Sequence, residues 1–289
     1  VTTLLRPSVV TAELMEESAP APDSLRAWLT ESGRIPTVRD LPESFAHIPQ
    51  TAATIVLRAE HSEGGDADSY PRGMRTQTGD TRVALVVGPQ TKAIYSRASK
   101  PAGCLRLRLA PGAVPALLGV SAADLTDRVV RLRDLPGPAA HLATELIQLE
   151  QDEVVAYLED ELPRRIPDNP AYRAHRRLLT AAVAAIGADH PLPIAALAAR
   201  LSVSERQLRN LFTSGIGVSP KHFVRIARLR RVLSRAEDTP WADLAAATGY
   251  YDQSHMTADF RRLMGVAPTS FLRGEIPTPS PCRALTHLR

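Results

Sequence analysis

The sequence predicts an α+β chain. A β-rich N-terminal domain with flanking helices is followed by an all-α domain of two helix-turn-helix hairpins joined by a long helix. Three observations carry this. First, Leu197–Phe223 (LAARLSVSERQLRNLFTSGIGVSPKHF) recurs as Leu244–Phe271 (LAAATGYYDQSHMTADFRRLMGVAPTSF). The pairs Phe212/Phe260, Gly217/Gly265, Val218/Val266, Pro220/Pro268 and Phe223/Phe271 share one offset of 48 residues, from 212 to 260. Leu197-Ala198 and Leu244-Ala245 are offset by 47, so the second turn holds one extra residue. Second, Cys104–Leu109 alternates Leu105, Leu107 and Leu109 with Arg106 and Arg108, the period of a strand with one buried face and one basic, solvated face. Third, charge divides the chain. Residues 171–275 hold 15 Lys+Arg against 8 Asp+Glu, and residues 1–170 hold 18 against 23.

In chain order, Ala19-Pro20-Ala21-Pro22-Asp23 reads as flexible and Ser24–Ser32 as a short helix containing Trp28. Ile35-Pro36 and Leu41-Pro42 interrupt regular structure. Thr54–Leu57, Val83–Val87 and Lys92–Ser96 are strand candidates, with a polar loop at His61–Tyr70 and a stop at Gly88-Pro89. After Cys104–Leu109 comes a turn and a short helix to Val120. Ser121 then caps the next turn, with Asp124 three residues on. From Gly137-Pro138 to about Leu162 the pattern is helical, with Leu142, Leu146, Leu149, Val154, Val155 and Leu158 on its apolar face. That face either covers the β domain or pairs two copies of the chain. Pro163, Pro167 and Pro170 bracket a linker.

The expected domains are therefore 1–165, a linker at 166–171, a helical domain at 172–275 and a disordered tail at 276–289. In the helical domain, Tyr172–Ile186 is the first helix and Ile194–Leu201 the supporting helix of the first hairpin. Ser204 is the N-cap of its second helix. Pro220 opens the joining helix, where its missing N–H has no intrahelical partner to lose. Asp252 caps the last long helix, which buries Met256, Phe260 and Leu263 on one face.

The composition limits the chemistry. A chain of 289 residues, 44% hydrophobic, suits about two domains. No apolar run is long enough to span a bilayer. The start, VTTLLRPSVVTAELMEE, carries acids, lacks the order of a signal peptide and lacks an initiator Met, so a trimmed chain is expected. Cys104 and Cys282 support neither a disulfide framework nor a metal site, and a reducing, cytoplasmic setting fits them. His47, His61 and His141 are isolated. With no glycine-rich phosphate loop and no activated cysteine elbow, neither catalytic residues nor a metal or cofactor are expected.

A repeated hairpin with a polar leading edge is what a helix-turn-helix needs to enter a DNA groove. A joining helix of about 17 residues is roughly 26 Å long, against about 34 Å between successive major-groove faces. With its flanking turns it can hold two recognition helices on one side of double-stranded DNA. Base readout falls to exposed side chains near each recognition-helix start: Glu205, Arg206, Arg209 and Asn210 in the first, Gln253, Ser254, His255 and Thr257 in the second. Phosphate contacts fall to Lys221, His222, Arg225, Arg261 and Arg262, with Ser219 and Thr269 at helix starts. Arg228, Arg230 and Arg231 cannot all face DNA from one helix.

Tandem hairpins, the first ending in GVSP and the second carrying GYYDQSH and GVAP, resemble the DNA-binding domain of the AraC/XylS transcriptional regulators over about residues 172–273. The run LRLAPGAVPALLGVSAADLTDRVVRLRDL resembles a block in the sensor half of some actinobacterial-type members, over about residues 83–150. The resemblance implies a regulator with DNA and RNA polymerase as partners, a small-molecule effector for its sensor half, and the option of a homodimer. Family members often carry Arg at the position of Ala258, so a contact is missing there and the first motif is expected to supply most of the specificity. Phe45, Tyr70 and Tyr95 are candidates for lining a small effector pocket, although each also suits a core. The alternative is an N-terminal dimerisation or protein-interaction module with no small-molecule ligand.

Overall fold

The computed structural model describes residues 10–11, 16–35, 44–60, 81–97, 104–166, 169–188, 192–236 and 240–275. The loop expected at His61–Tyr70, the candidate Tyr70 and the tail from 276 lie outside the described residues. For Phe45 only the backbone is described. Among the described residues, nine strands form two sheets. The strands are β1 (Val10–Thr11), β2 (Glu17–Pro20), β3 (Leu29–Ile35), β4 (Ser44–His47), β5 (Thr54–Glu60), β6 (Thr81–Val87), β7 (Ile94–Arg97), β8 (Cys104–Leu109) and β9 (Val129–Arg131). The larger sheet runs β2-β3-β8-β5-β6-β9, antiparallel throughout, and the smaller runs β1-β4-β7.

The alternation in β8 is confirmed: Leu105, Leu107 and Leu109 are buried in the main core with Ile55, Leu57 and Val86. Its arginine face is not solvated as expected. Arg106 pairs with Glu16 at 2.8 Å, and Arg108 with Glu31 at 3.1 Å. Gly33 stands opposite Arg106 in the β3–β8 register, and a Cβ there would meet the Glu16 carboxylate at 1.7 Å. Its missing side chain lets Glu16 cross the strand to its partner. Burial also pushes the Cys104 thiol up, away from the reactive thiolate.

Three expectations change. The helix expected over Ser24–Ser32 is a 3-10 turn at Asp23–Leu25 followed by β3, because the ladder to β8 outweighs local helical preference. The long helical stretch is divided into a 3-10 segment Pro138–Leu142, α2 (Ala143–Leu146) and α3 (Glu153–Arg165). Pro163 lies inside the last turn of α3, where burial of Leu162 and Ile166 keeps the helix end docked. Leu142, Leu146, Val154, Leu158 and Leu162 are all core, so this face covers the β sheet of its own chain. The capping box at Ser121 and Asp124 forms as expected, ahead of the 3-10 turn Ala122–Leu125 and after α1 (Val114–Leu118).

The second half is helical: α4 (Pro170–Gly187), α5 (Ile194–Arg200), α6 (Glu205–Ile216), α7 (Pro220–Arg235), α8 (Trp241–Ala247), α9 (Gln253–Met264) and α10 (Pro268–Leu272). Among the described residues, no helix is long and apolar enough to cross a membrane.

Gly33→Ala is expected to destabilise the chain by about 1–3 kcal/mol in urea unfolding, as overpacking does. Most of that loss should vanish in a Glu16→Ala background. An equal loss in both backgrounds would refute the crossing role given to Gly33.

Candidate nucleic-acid interface

The sequence repeat is a structural repeat. Each hairpin pairs a short supporting helix, α5 or α8, with a longer second helix, α6 or α9. α6 starts on a capping box: Ser204 Oγ accepts from the Gln207 N–H at 3.1 Å, and Gln207 Oε1 accepts from the Ser204 N–H at 2.8 Å. α9 starts on Asp252, whose carboxylate accepts from the His255 N–H at 2.7 Å. Both helices end on left-handed glycines, Gly217 and Gly265, and Pro220 and Pro268 then open α7 and α10. The edge-on pair Phe212–Phe223 at 5.5 Å recurs as Phe260–Phe271 at 5.8 Å, the same two repeat positions. Within the turns, Gly249 takes a positive φ of 80° and Ser202 a φ of 56° at the corresponding place.

The expected base readers of α6 are all exposed: Glu205, Arg206, Arg209 and Asn210. On α9, Gln253 and Ser254 are exposed and Thr257 is half-buried. His255 is exposed, but its ring stands edge-on to Tyr250 at 5.3 Å and helps line a cleft between the two motifs. That cleft, about 460 Å³, runs along α7 past Lys221, Arg225 and Asp259.

The expected phosphate contacts divide. Lys221, Arg261, Arg262 and Thr269 are exposed. Ser219 caps α7 by accepting from the His222 N–H at 3.3 Å. Arg225 is committed to Asp259 on α9, with its Nη2 at 2.6 Å and Nε at 3.0 Å from one carboxylate oxygen. His222 is half-buried against Thr91 of the N-terminal half, and burial first, then the Arg225 charge, holds its pKa below the usual histidine value. The four remaining α7 arginines are also engaged, Arg235 by donating to the Ala247 carbonyl at 2.8 Å. Arg228 lies over the Tyr250 ring at 5.6 Å, Arg230 donates to the Pro49 carbonyl at 3.4 Å, and Arg231 donates to Ile186 and Ala188 carbonyls at the end of α4.

Tyr95 takes the core role of the two it suits. Its hydroxyl donates to the Met264 carbonyl at 2.7 Å, its ring packs with Ala46, Val266 and Phe271, and burial pushes its pKa up to about 12. One exposed residue escaped the sequence reading. Tyr251 is 93% exposed at the leading edge of α9, beside Asp252. Its neighbour Tyr250 is buried, so one residue of offset sends the two rings in opposite directions.

Residues 197–274 match the family described as a helix-turn-helix domain. The HTH-type transcriptional activator RhaR of Pectobacterium carotovorum subsp. carotovorum (strain PC1) is 31% identical over 113 residues, covering 37% of this chain. That alignment spans 39% of RhaR. A probable AraC family transcriptional regulator from Rhodopseudomonas palustris CGA009 is similar at 24% identity over 35% of this chain and 99% of its own, with a TM-score of 0.30. ToxT from Vibrio cholerae O395 is similar at 9% identity over 92% of this chain and 100% of its own, with a TM-score of 0.39. The C-terminal region of the chain is thus a helix-turn-helix domain.

Ser202→Gly is expected to raise stability by about 0.5–1 kcal/mol, since left-handed strain of about 1–3 kcal/mol exceeds the entropy that glycine adds to the unfolded chain, about 0.4–1 kcal/mol. A lower thermal midpoint would refute it. For His222 the folded pKa is lowered, so below the ordinary value of about 6.5 the unfolded chain binds more protons and acid favours unfolding. The thermal midpoint should therefore fall between pH 7.5 and 5.5, and fall less in His222→Gln. Equal falls would show that other groups set the acid response.

Proposed function

We propose that this protein is a sequence-specific DNA-binding transcriptional regulator that lays α6 and α9 into two adjacent major grooves of one duplex face. The observation that carries the reading is the pair of matching helices with solvent-exposed polar starts, α6 at Arg206, Arg209 and Asn210, and α9 at Gln253 and Ser254. Arg206 and Arg209 suit guanine O6 and N7, and Asn210 suits adenine. Lys221, Arg261, Arg262 and Thr269 are the phosphate contacts, because their side chains are exposed, whereas Arg225 and His222 serve the protein's own packing. Tyr251 joins this set as an aromatic face for the sugar–phosphate backbone. RNA polymerase is the partner that such a regulator would act on.

For the N-terminal half, we favour sensing of a small molecule over protein interaction. The apolar face of α2 and α3 is covered by its own sheet. A cavity of about 180 Å³ lies between the β8 end and the first motif, lined by Thr30, Thr51, Arg108, Val114, Val183 and Phe223 among others. A metabolite fraction that raises the thermal midpoint of the whole chain would support the sensor. Pull-down of a stable protein partner with no such fraction would favour interaction.

Arg206→Ala or Arg209→Ala is expected to weaken a selected site by about 1–3 kcal/mol and to relax preference at one base position. Equal weakening on random DNA would reduce both residues to phosphate contacts. Arg261→Ala should lower the salt slope by about one, with base preference intact. A changed preference in a binding-site selection would overturn that assignment.

A further inference from the structure

The N-terminal half holds both recognition helices at their C-terminal ends. The last carbonyls of a helix have no partner within it and carry its partial negative charge. Here they are met by donors from the other half of the chain. The Gly112 N–H donates to the Gly215 carbonyl at 3.1 Å, and the Ala93 N–H to the Leu263 carbonyl at 2.7 Å. Gly215 and Leu263 stand 48 residues apart, so the same position is gripped in both repeats. A side-chain hydroxyl reinforces each grip: Thr126 Oγ1 donates to Gly217 at 2.9 Å and the Tyr95 hydroxyl to Met264 at 2.7 Å.

The two grips are linked to each other within the N-terminal half. The Thr91 N–H and hydroxyl donate to the Asp127 carboxylate at 2.7 and 2.5 Å, and the Asp127 N–H donates to the Pro89 carbonyl at 2.8 Å. The segment carrying Ala93 and Tyr95 is thereby tied to the segment carrying Thr126. The first grip has no slack. A Cβ on Gly215 would stand 2.3 Å from Leu179 and 3.1 Å from the Gly112 Cα, and one on Gly217 would stand 2.7 Å from the Ala122 carbonyl oxygen. Away from the carbonyls, Ile48 is buried in the core of the second motif and Arg176 of α4 lies over Trp28 at 4.1 Å.

We propose that Thr126 and Tyr95, with the backbone donors at Gly112 and Ala93, are positioning residues for DNA reading: they make the N-terminal half a bridge that fixes the separation and relative direction of α6 and α9. The gap between the two base-read elements of the DNA site is then set by residues that touch no DNA. This rests on the two-groove reading above. It adds a second connection to the covalent one, which between the motifs runs through α7. The joining helix is itself held to α9 by the Arg225–Asp259 pair, and the two anchored carbonyls per motif add a restraint on α6 and α9 that does not pass through α7.

The test uses the full chain and the double variant Tyr95→Phe/Thr126→Val, which removes both hydroxyl donors and keeps the side-chain shapes. Spin labels at the exposed positions 213 and 258 (Thr213→Cys and Ala258→Cys, with Cys104 and Cys282 changed to Ser) report the separation of α6 and α9 without DNA. The expected result is a broader or shifted distance distribution in the double variant. An unchanged distribution, in a variant that still melts cooperatively, overturns the proposal. In binding-site selection, the parent should enrich two elements at one gap, and the double variant should also accept gaps altered by about one base pair, ~3.4 Å of duplex, with unchanged preference inside each element. Retention of the single parental gap overturns the proposal as well. A purely structural role would lower affinity at every gap alike. If the parent enriches no two-element site, the DNA reading fails, and the label distances alone decide whether the bridge exists.

Discussion

The corner at the end of each recognition helix governs the arrangement of the C-terminal half. At Gly217 and Gly265 the backbone turns left-handed, a proline opens the next helix three residues later, and a phenylalanine of that helix meets one from the recognition helix edge-on. Such an aromatic pair contributes about 0.5–1.5 kcal/mol beyond its buried area, but its larger effect is directional. It fixes the angle at which α6 leaves α7 and α9 leaves α10. Each recognition helix therefore presents its N-terminal start outward and its C-terminal carbonyls inward. The polarity is electrostatically consistent: the starts, rich in unpaired N–H groups, are left free for an anionic partner, and the ends meet N–H and O–H donors of the same chain.

Charge counting alone overstates the surface available to DNA. Residues 171–275 carry 15 Lys+Arg, yet α7 spends its arginines internally. Arg225 locks onto Asp259, Arg228 lies over Tyr250, and Arg230 and Arg231 donate to carbonyls on neighbouring elements. α7 is a strut more than a contact surface. The exposed cations flank it instead: Arg206 and Arg209 on α6, Lys221 at the α7 start, and Arg261 and Arg262 on α9.

The repeat was legible in the sequence because its marker residues do jobs that few residue types can do. Glycine in a left-handed corner, proline at a helix start and paired phenylalanines leave a fixed spacing, and the caps at Ser204 and Asp252 followed from it. β8 was equally plain from its period of two. What escaped depended on partners distant in sequence. Ser24–Ser32 looked helical until β8 claimed Leu29–Ile35 as a neighbour. The arginine face of β8 looked solvated because Glu16, 90 residues away, does not announce its partner. Tyr95 suited either a pocket or a core, and only the position of Met264 makes it a tie between the halves. Side chains with one available chemistry were readable, and those whose role is chosen by a partner were not.

The two motifs share a corner but differ in how tightly they are held. Asp259, buried on α9, occupies the repeat position of Leu211 on α6, and only the second carries a charge that pairs with the joining helix. Such a pair loses hydration on burial, so its net stabilisation is small, but removing either partner is expensive. Its effect is to restrict how α9 can roll against α7. The edge-on contact of His255 with Tyr250, itself under Arg228, restricts the start of the same helix. α6 has no matching ion pair to α7 among the described residues, and its leading side chains, Arg206, Arg209 and Asn210, are long, polar and exposed. The structural asymmetry lies there: α9 is tied to the joining helix by an ion pair, and α6 carries the longer exposed side chains.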